Sequence, residues 1–358
     1  MEAAVAGGEE RAQEFPLAEA RQIVRDLMTP EPRIYWLDFG GTITLAWAAF
    51  ALALWLPAFS AGHLLAVAVA GFAFYRAAIF IHELAHLKKG TFRAFRLVWN
   101  LTCGIPLLAP SFTYDGVHNE HHKRDIYGTG PDGEYLPFVH QGRLGILAYM
   151  ALPPLLPAFF IVRFLILAPL SWVSPRVRRK VWAHASSLAI DLGYERPDGA
   201  LRNDTNWRWQ EVLAFALAAA VTAATLSGVL SWEVVALWYA IGVLLFFVNS
   251  LRTLAAHAYR NPPDRTMTVA GQYLDSVNVP GRPVITSLWA PVGLRYHATH
   301  HLFPAMPYHN LEEAHRRLAS QLGDKTLYLE ASRRSLWDAL RRLWHEAAEA
   351  EAEARAVA

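Results

Sequence analysis

Cysteine is nearly absent: Cys103 is the only one in 358 residues. A lone thiol excludes an intrachain disulfide framework and any cysteine-ligated zinc or iron–sulfur centre built by this chain. Charge is scarce as well. Asp, Glu, Lys and Arg make up 18% of the residues, where about 25% is usual for a soluble domain. The hydrophobic share is 54%, which weighs against a disordered chain, a coiled coil or an ordinary cytosolic enzyme and favours an integral membrane protein. The net charge of +2 decides nothing alone; no nucleic-acid partner is expected. Histidine, in contrast, is plentiful at 15 residues, so the chemistry points to imidazole.

From Thr42 to Tyr75 the chain carries no charged side chain, and Pro57, Ser60 and Gly62 divide this run into two pieces, each roughly the 17–20 residues a bilayer crossing needs. The runs Val212–Trp232 and Val234–Leu251, joined around Ser231-Trp232-Glu233, repeat the arrangement. Four transmembrane helices in two hairpins are therefore expected. Leu144–Leu170 is also apolar, but Pro153, Pro154, Pro157 and Arg163 interrupt it, and it reads as interfacial or re-entrant. Residues 17–28 space their apolar side chains at helical intervals, which suits an amphipathic helix on the membrane or docked on the protein.

Lys and Arg placement sets the orientation. The turns at Ala58–His63 and Leu230–Glu233 hold none, whereas Lys88, Lys89, Arg93, Arg96, Lys123, Arg124, Arg176, Arg178, Arg179, Lys180, Arg252 and Arg260 fall on the other side. Both termini and the long polar segments are thus expected in the cytoplasm, at the inner membrane in a bacterial cell. The N-terminal stretch lacks the basic-then-apolar order of a cleaved signal. The expected organisation is a cytoplasmic segment over 1–37, a membrane domain over 38–317 and a cytoplasmic helix or tail over 318–358, whose end, EAAEAEAEARAVA, reads as solvated or frayed. The whole is all-α and multi-pass, with a cytoplasmic histidine-rich cap.

Three histidine clusters stand out: His82-Glu-Leu-Ala-His86, His118-Asn-Glu-His121-His122 and His297-Ala-Thr-His300-His301. Independent placement of the histidines would produce H-x-x-H-H about 0.03 times in such a chain, yet it occurs twice. Residues three and four apart share a helical face while adjacent ones diverge, so one short helix can offer three imidazoles to two neighbouring metal positions. His257, just past the fourth crossing, adds a ninth candidate ligand. All nine fall on the cytoplasmic side. The isolated histidines His63, His140, His184, His309, His315 and His345 are expected in surface or hydrogen-bonded roles.

Imidazole alone does not choose among zinc, copper, iron and nickel. The first cluster also matches H-E-x-x-H, which leaves open an intramembrane zinc protease using His82, Glu83 and His86. Such a site needs about three protein ligands, and six of the nine histidines would then have no work; two metals with four or five ligands each suit the count better. A purely structural lipid-binding protein is the remaining class.

HELAH, HNEHH and HATHH in this order, the following Leu302-Phe303-Pro304, and the paired crossings before the first and third clusters resemble the membrane fatty acid desaturase and hydroxylase superfamily over roughly Asp38 to Arg317. The resemblance implies a non-haem di-iron centre that uses O2 to attack an unactivated C–H of a lipid chain. It implies His82, His86, His118, His121, His122, His297, His300 and His301 as iron ligands, with His257 matching the extra histidine before the third box. Thr253 stands where some relatives carry an asparagine that helps hold a metal-bound water. The H-x-x-x-H spacing of the first box looks more like acyl-lipid, sphingolipid and ketolase-type members than acyl-CoA Δ9 desaturases. On this reading the chain is a lipid desaturase, with hydroxylation or ketolation on the same scaffold as the alternative. Glu83, Glu120 and Asp275 are the carboxylates expected to orient the ligands. Electrons must come from an external ferredoxin-like or cytochrome-like donor, for which Arg176–Lys180 offers a cationic docking surface, although the positive-inside rule accounts for the same residues.

Overall fold

The computed structural model of the chain describes residues 15–88, 90–199, 201, 205–322 and 327–357. The acidic residues 1–14 and Lys89 lie outside them. Among the described residues the secondary structure is helical, with only isolated β-bridges. The chain divides into two units: Pro32–His118 with Ala151–Asn249, and Asn119–Met150 with Ser250–Ala358 and the residues up to Glu31.

The first unit holds the long apolar helices. Helix α1 (Leu17–Ile23) belongs to the other unit; α2 (Pro32–Trp55) and α3 (Ala61–His86) form the first hairpin. Its turn is set by Ser60, whose Oγ accepts the backbone N–H of His63 at 3.2 Å and so caps α3. Aromatic residues lock the two helices, with the Trp47 and Phe74 rings edge-on at 4.9 Å, and Arg76 pairs with Asp38 at 2.6 Å. Helix α4 (Arg93–Trp99) follows and continues as a π-turn through Gly104.

After α5 (Val117–His121) and α6 (Phe138–Met150), the first unit resumes with α7 (Leu156–Val173), α8 (Pro175–Ala185), α9 (Asn206–Leu226) and α10 (Trp232–Ala256). Helices α9 and α10 are the second expected hairpin. Gly71 lets α3 approach α10, since a Cβ there would lie 2.3 Å from Leu244 Cδ2.

Five described helices, not four, are long and apolar enough to cross a membrane: α2, α3, α7, α9 and α10. The additional one, α7, occupies the stretch that the prolines were expected to break. Its prolines fall where a missing N–H is tolerated. Pro157 stands in the first turn, and Pro169 follows the π-turn Arg163–Leu167, at which the hydrogen-bond ladder is already rearranged. Arg163 is accommodated by pairing: its Nη2 lies 2.7 Å from Glu211 Oε2, with both side chains 1% exposed. Glu211 also accepts from Trp172 Nε1 at 2.7 Å and Arg178 Nη1 at 2.8 Å.

The second unit contains α1, α5 beyond His118, α6, α11 (Val269–Asp275), α12 (Pro283–Trp289), α13 (His297–Leu302), α14 (Leu311–Leu322) and α15 (Leu336–Val357). Helix α1 and the turn after it dock on protein, burying Ala20, Val24 and Leu27 in one core with Leu311, Leu318 and Phe303. Arg317 of α14 reaches Asp26 at 2.7 Å. The tail is helical to Val357 and packed along one face: Leu343 and Ala347 are buried, and Glu351 pairs with Arg143 of α6 at 2.9 Å. Residues 352–356 are exposed.

Candidate metal centre

In the first unit α3 ends on His86, and the 3.6-residue period places His82 directly above it, their ring centroids 5.0 Å apart. His118 opens α5 and meets both, at 4.4 Å from His82 and 4.7 Å from His86. The Nε2 atoms of His86 and His118 are 2.8 Å apart. Tyr114, one turn earlier, stacks on His118 at 4.8 Å and places its hydroxyl 2.9 Å from Nδ1. The other ring nitrogen, Nε2, is thereby turned toward its neighbours.

In the second unit, His121, His257, His297 and His301 converge, each offering a ring nitrogen within 4.8 Å of all the others. A short extended crosslink is responsible. Ser276 bridges antiparallel to His257, and Asn278 to Tyr296; Val277 N–H donates to Ala256 O at 2.8 Å and Val279 N–H to Arg295 O at 2.7 Å. The segment after α11 thus ties the end of α10 to the start of α13. Nε2 of His297 lies 2.9 Å from that of His257 and 3.1 Å from that of His301. His122 and His300 form a further pair, Nε2 to Nε2 at 3.1 Å.

These donors fit a metal. One neutral imidazole pair can share a proton, but His297 Nε2 faces two other ring nitrogens at once. Metal–imidazole bonds of about 2.0–2.1 Å keep ligand nitrogens within roughly 4.2 Å of one another, and the Nε2 pairs at 2.8, 2.9 and 3.1 Å fall inside that limit. Burial holds His257 and His301 well below the usual imidazole range, so both are in the neutral, metal-binding form. At His121 burial also disfavours the cation, but Asp132, Glu134 and Asp275 together raise the pKa.

The groups behind the ligands differ in part from the expected carboxylates. Asp132 Oδ2 lies 2.8 Å from His121 Nδ1 and also accepts the Gly128 N–H at 2.8 Å. Tyr127 Oη lies 2.7 Å from His257 Nδ1 and 3.1 Å from Asp275 Oδ2. With its proton on Asp275, the phenol accepts from His257 Nδ1–H and leaves Nε2 as the donor to a metal. Asp275 is 3.9 Å from His257 Nδ1, so it acts through Tyr127. Glu83 is 3.7 Å from His82 Nδ1 and accepts the Tyr35 hydroxyl at 2.6 Å. Glu120 is a partly exposed carboxylate 3.4 Å from Lys123.

Asp132, Tyr127 and Tyr114 carry no sequence signal that singles them out; Asp132 sits among Gly and Pro in what reads as an ordinary turn. Thr253, one turn before His257, is buried, and its carbonyl accepts the Tyr259 hydroxyl at 2.8 Å. The isolated histidines behave as expected where described: His63 Nδ1 contacts Ala53 O at 2.9 Å, and His140 Nε2 contacts Arg260 O at 2.8 Å.

Comparison with known proteins agrees with this geometry. A family model described as Fatty acid desaturase matches residues 53–332. The chain is also similar to a protein described as ceramide hydroxylase from Caulobacter vibrioides (strain NA1000 / CB15N), 41% identical over 338 residues, covering 94% of this chain and 95% of that protein. The chain therefore belongs to the fatty acid desaturase family and is an oxidoreductase of the desaturase and hydroxylase type.

Proposed function

We propose that this protein is an O2-dependent lipid hydroxylase acting on a ceramide-type lipid, with two non-haem irons held by His82, His86, His118, His121, His122, His257, His297, His300 and His301. The observation that carries the reading is the 41% identity to a ceramide hydroxylase along nearly the whole of both chains; it favours oxygen insertion over the desaturation expected first. The H-x-x-H-H of the second box supports a pair of metals, because one helical turn carries His118 and His121 and the next residue is His122.

Two irons would supply the O2-derived oxidant that an alkyl C–H bond demands. The chain's own residues do the rest: Asp132 and the Tyr127–Asp275 pair hold His121 and His257 in the tautomer that presents Nε2, Tyr114 orients the His118 ring, and six of the nine candidate ligands are buried. Hydroxylation converts R–H, O2, two electrons and two protons into R–OH and water. The electrons come from an external ferredoxin-like or cytochrome-like carrier, since Cys103 is the chain's single cysteine. The zinc-protease reading suits the residues poorly. Its general base would be Glu83, which is buried and engaged by Tyr35.

The active site is proposed to face the cytoplasm, with both termini on that side. His121 precedes α7, α9 and α10, and His257 follows them, yet both belong to one ligand group. Three full crossings would separate them by the bilayer, so two of the three helices cross. The exception is assigned to α7, which carries Pro157, Pro169 and, in its middle, the Arg163 guanidinium paired with Glu211.

Lipid mass spectrometry of cells with and without the gene, supplied with a competent electron donor, tests the reaction. A ceramide product heavier by one oxygen is expected. Loss of two hydrogens instead would return the assignment to desaturation. Metal analysis should find about two irons per chain, and one zinc with activity surviving His300→Ala would reinstate the protease.

A further inference from the structure

We propose that the loop carrying α12 inserts into the bilayer surface, so that the second unit touches lipid through an element other than the candidate spans. This goes beyond the catalytic reading and does not depend on it; it needs only a membrane protein.

Helix α12 is polar inward and apolar outward. At about 100° per residue, Val284, Ile285 and Leu288 share one face and Thr286 takes the opposite side. Thr286 is buried and Ser287 half-buried, whereas Val284, Ile285 and Leu288 are 79%, 55% and 49% exposed. A helix on a water-facing surface shows the reverse pattern. Apolar side chains exposed singly need no partner, but a contiguous group marks a contact.

The loop is a built structure. Val279 N–H donates to Arg295 O at 2.7 Å and Asn278 bridges to Tyr296, which closes the base of the loop directly before His297. Gly281 turns the chain at φ +47°, where a Cβ would collide with Thr286 Oγ1. Pro283 opens the helix at a position where its missing N–H costs nothing. The turn therefore holds the apolar face outward.

Three observations select a bilayer as what covers it. The base of the loop is bonded to the last turn of α10, a candidate span, through Val277 N–H and Ala256 O at 2.8 Å. Val284 follows seven residues later, so chain reach keeps it within roughly 25 Å of that helix end. Charge is the second: no carboxylate occurs from Ser276 through Leu311, exposed Arg282 precedes α12, and half-buried Trp289 closes it. Arginine and tryptophan flanking apolar residues suit the headgroup level of an anionic leaflet. Size is the third. Seven residues of helix extend about 10 Å, far too little for the ~800 Å² per partner of a stable protein interface, whereas a few side chains suffice to enter lipid.

Full-length protein in nanodiscs containing phosphatidylglycerol, one chain per disc, tests the contact by electron paramagnetic resonance. Nitroxides are attached at Val284→Cys or Leu288→Cys, with Glu353→Cys as the exposed control on α15; native Cys103 is fully buried and stays unlabelled. All three positions are at the surface, so the substitutions leave the fold intact. Collision with O2, which concentrates in hydrocarbon, is compared with collision with a water-soluble nickel chelate. The O2-to-nickel ratio at Val284 and Leu288 should exceed that at Glu353 by about fivefold or more, as for side chains ~5–10 Å into the headgroup and acyl boundary. Equal ratios at the three positions would overturn the proposal. So would an excess that appears only in discs loaded with two copies, which would make a second chain the cover.

Discussion

The hydroxyl of Tyr127 lies 2.7 Å from Nδ1 of His257, although 130 residues separate them, and Asp275 stands 3.1 Å behind it. The pair decides which nitrogen of His257 can bind metal. Tyr127→Phe removes the acceptor and leaves the ring free to rotate or change tautomer. Loss of such an orienting partner typically weakens metal binding about 10–100-fold, so iron retained after dialysis against a chelator should fall while helical content is unchanged. Asp275→Asn should have the same direction and a smaller effect, since the phenol remains.

Asp132 does for His121 what the phenol does for His257, but directly and with a full charge. Asp132→Asn keeps the turn, because the amide oxygen can still accept from Gly128. It removes the carboxylate that makes the imidazole a stronger ligand. Iron content and turnover should drop together, by about tenfold or more. Glu120→Gln, at a partly exposed position, is the contrast and should change neither.

Glu211 and Arg163 meet where α9 faces α7, both buried. Glu211→Leu strands the guanidinium in an apolar setting and should lower unfolding free energy by about 3–5 kcal/mol. Arg163→Met should be milder, since Arg178 and Trp172 remain on the carboxylate. The double substitution should recover most of the loss. A double-mutant cycle on thermal or denaturant unfolding in detergent measures the coupling.

His315 should make stability sensitive to acid. Burial, aided by Arg295 and opposed by Glu312, pulls its pKa from 6.5 down to about 4; Nδ1 contacts the Tyr328 hydroxyl at 2.9 Å. The folded value lies below the unfolded one. Its contribution is therefore complete above about pH 6.5 and is lost as pH falls toward 4, with a ceiling of about 3 kcal/mol. His315→Gln should flatten the stability profile across that interval in urea titrations.

Cys103 is fully buried, and burial pushes its thiol pKa up. Native protein should resist maleimide over hours, whereas one site per chain should label after denaturation in SDS. The same inertness makes the wild-type chain a clean background for single-cysteine mapping of α7. Cysteines placed at Leu155 and Val173 should label from one side of the membrane if that helix does not cross.

The parts legible in the amino-acid order are those whose information is local. An uncharged run broken by Pro57 and Ser60 is enough to specify the first hairpin, because crossing length depends on consecutive residues. The histidine boxes are legible for the same reason, since ligand spacing of three or four is a property of one helical turn. The continuity of α7 as one apolar helix was not legible. Arg163 looks prohibitive until its partner is known, and Glu211 lies 48 positions away. Likewise α1, undecided between membrane and protein, is settled by Leu311 and Leu318, which lie far along the chain.

The order of amino acids by itself determined a helical membrane oxidoreductase with clustered histidines, because hydropathy, helix period and imidazole chemistry act over a few residues at a time. Tertiary structure alone decided which phenol and which carboxylate stand behind His257 and His121, and how a buried arginine is neutralised. Those choices depend on backbone crosslinks such as Ser276 to His257 and Asn278 to Tyr296. Such contacts join distant segments, and no short-range pattern encodes them.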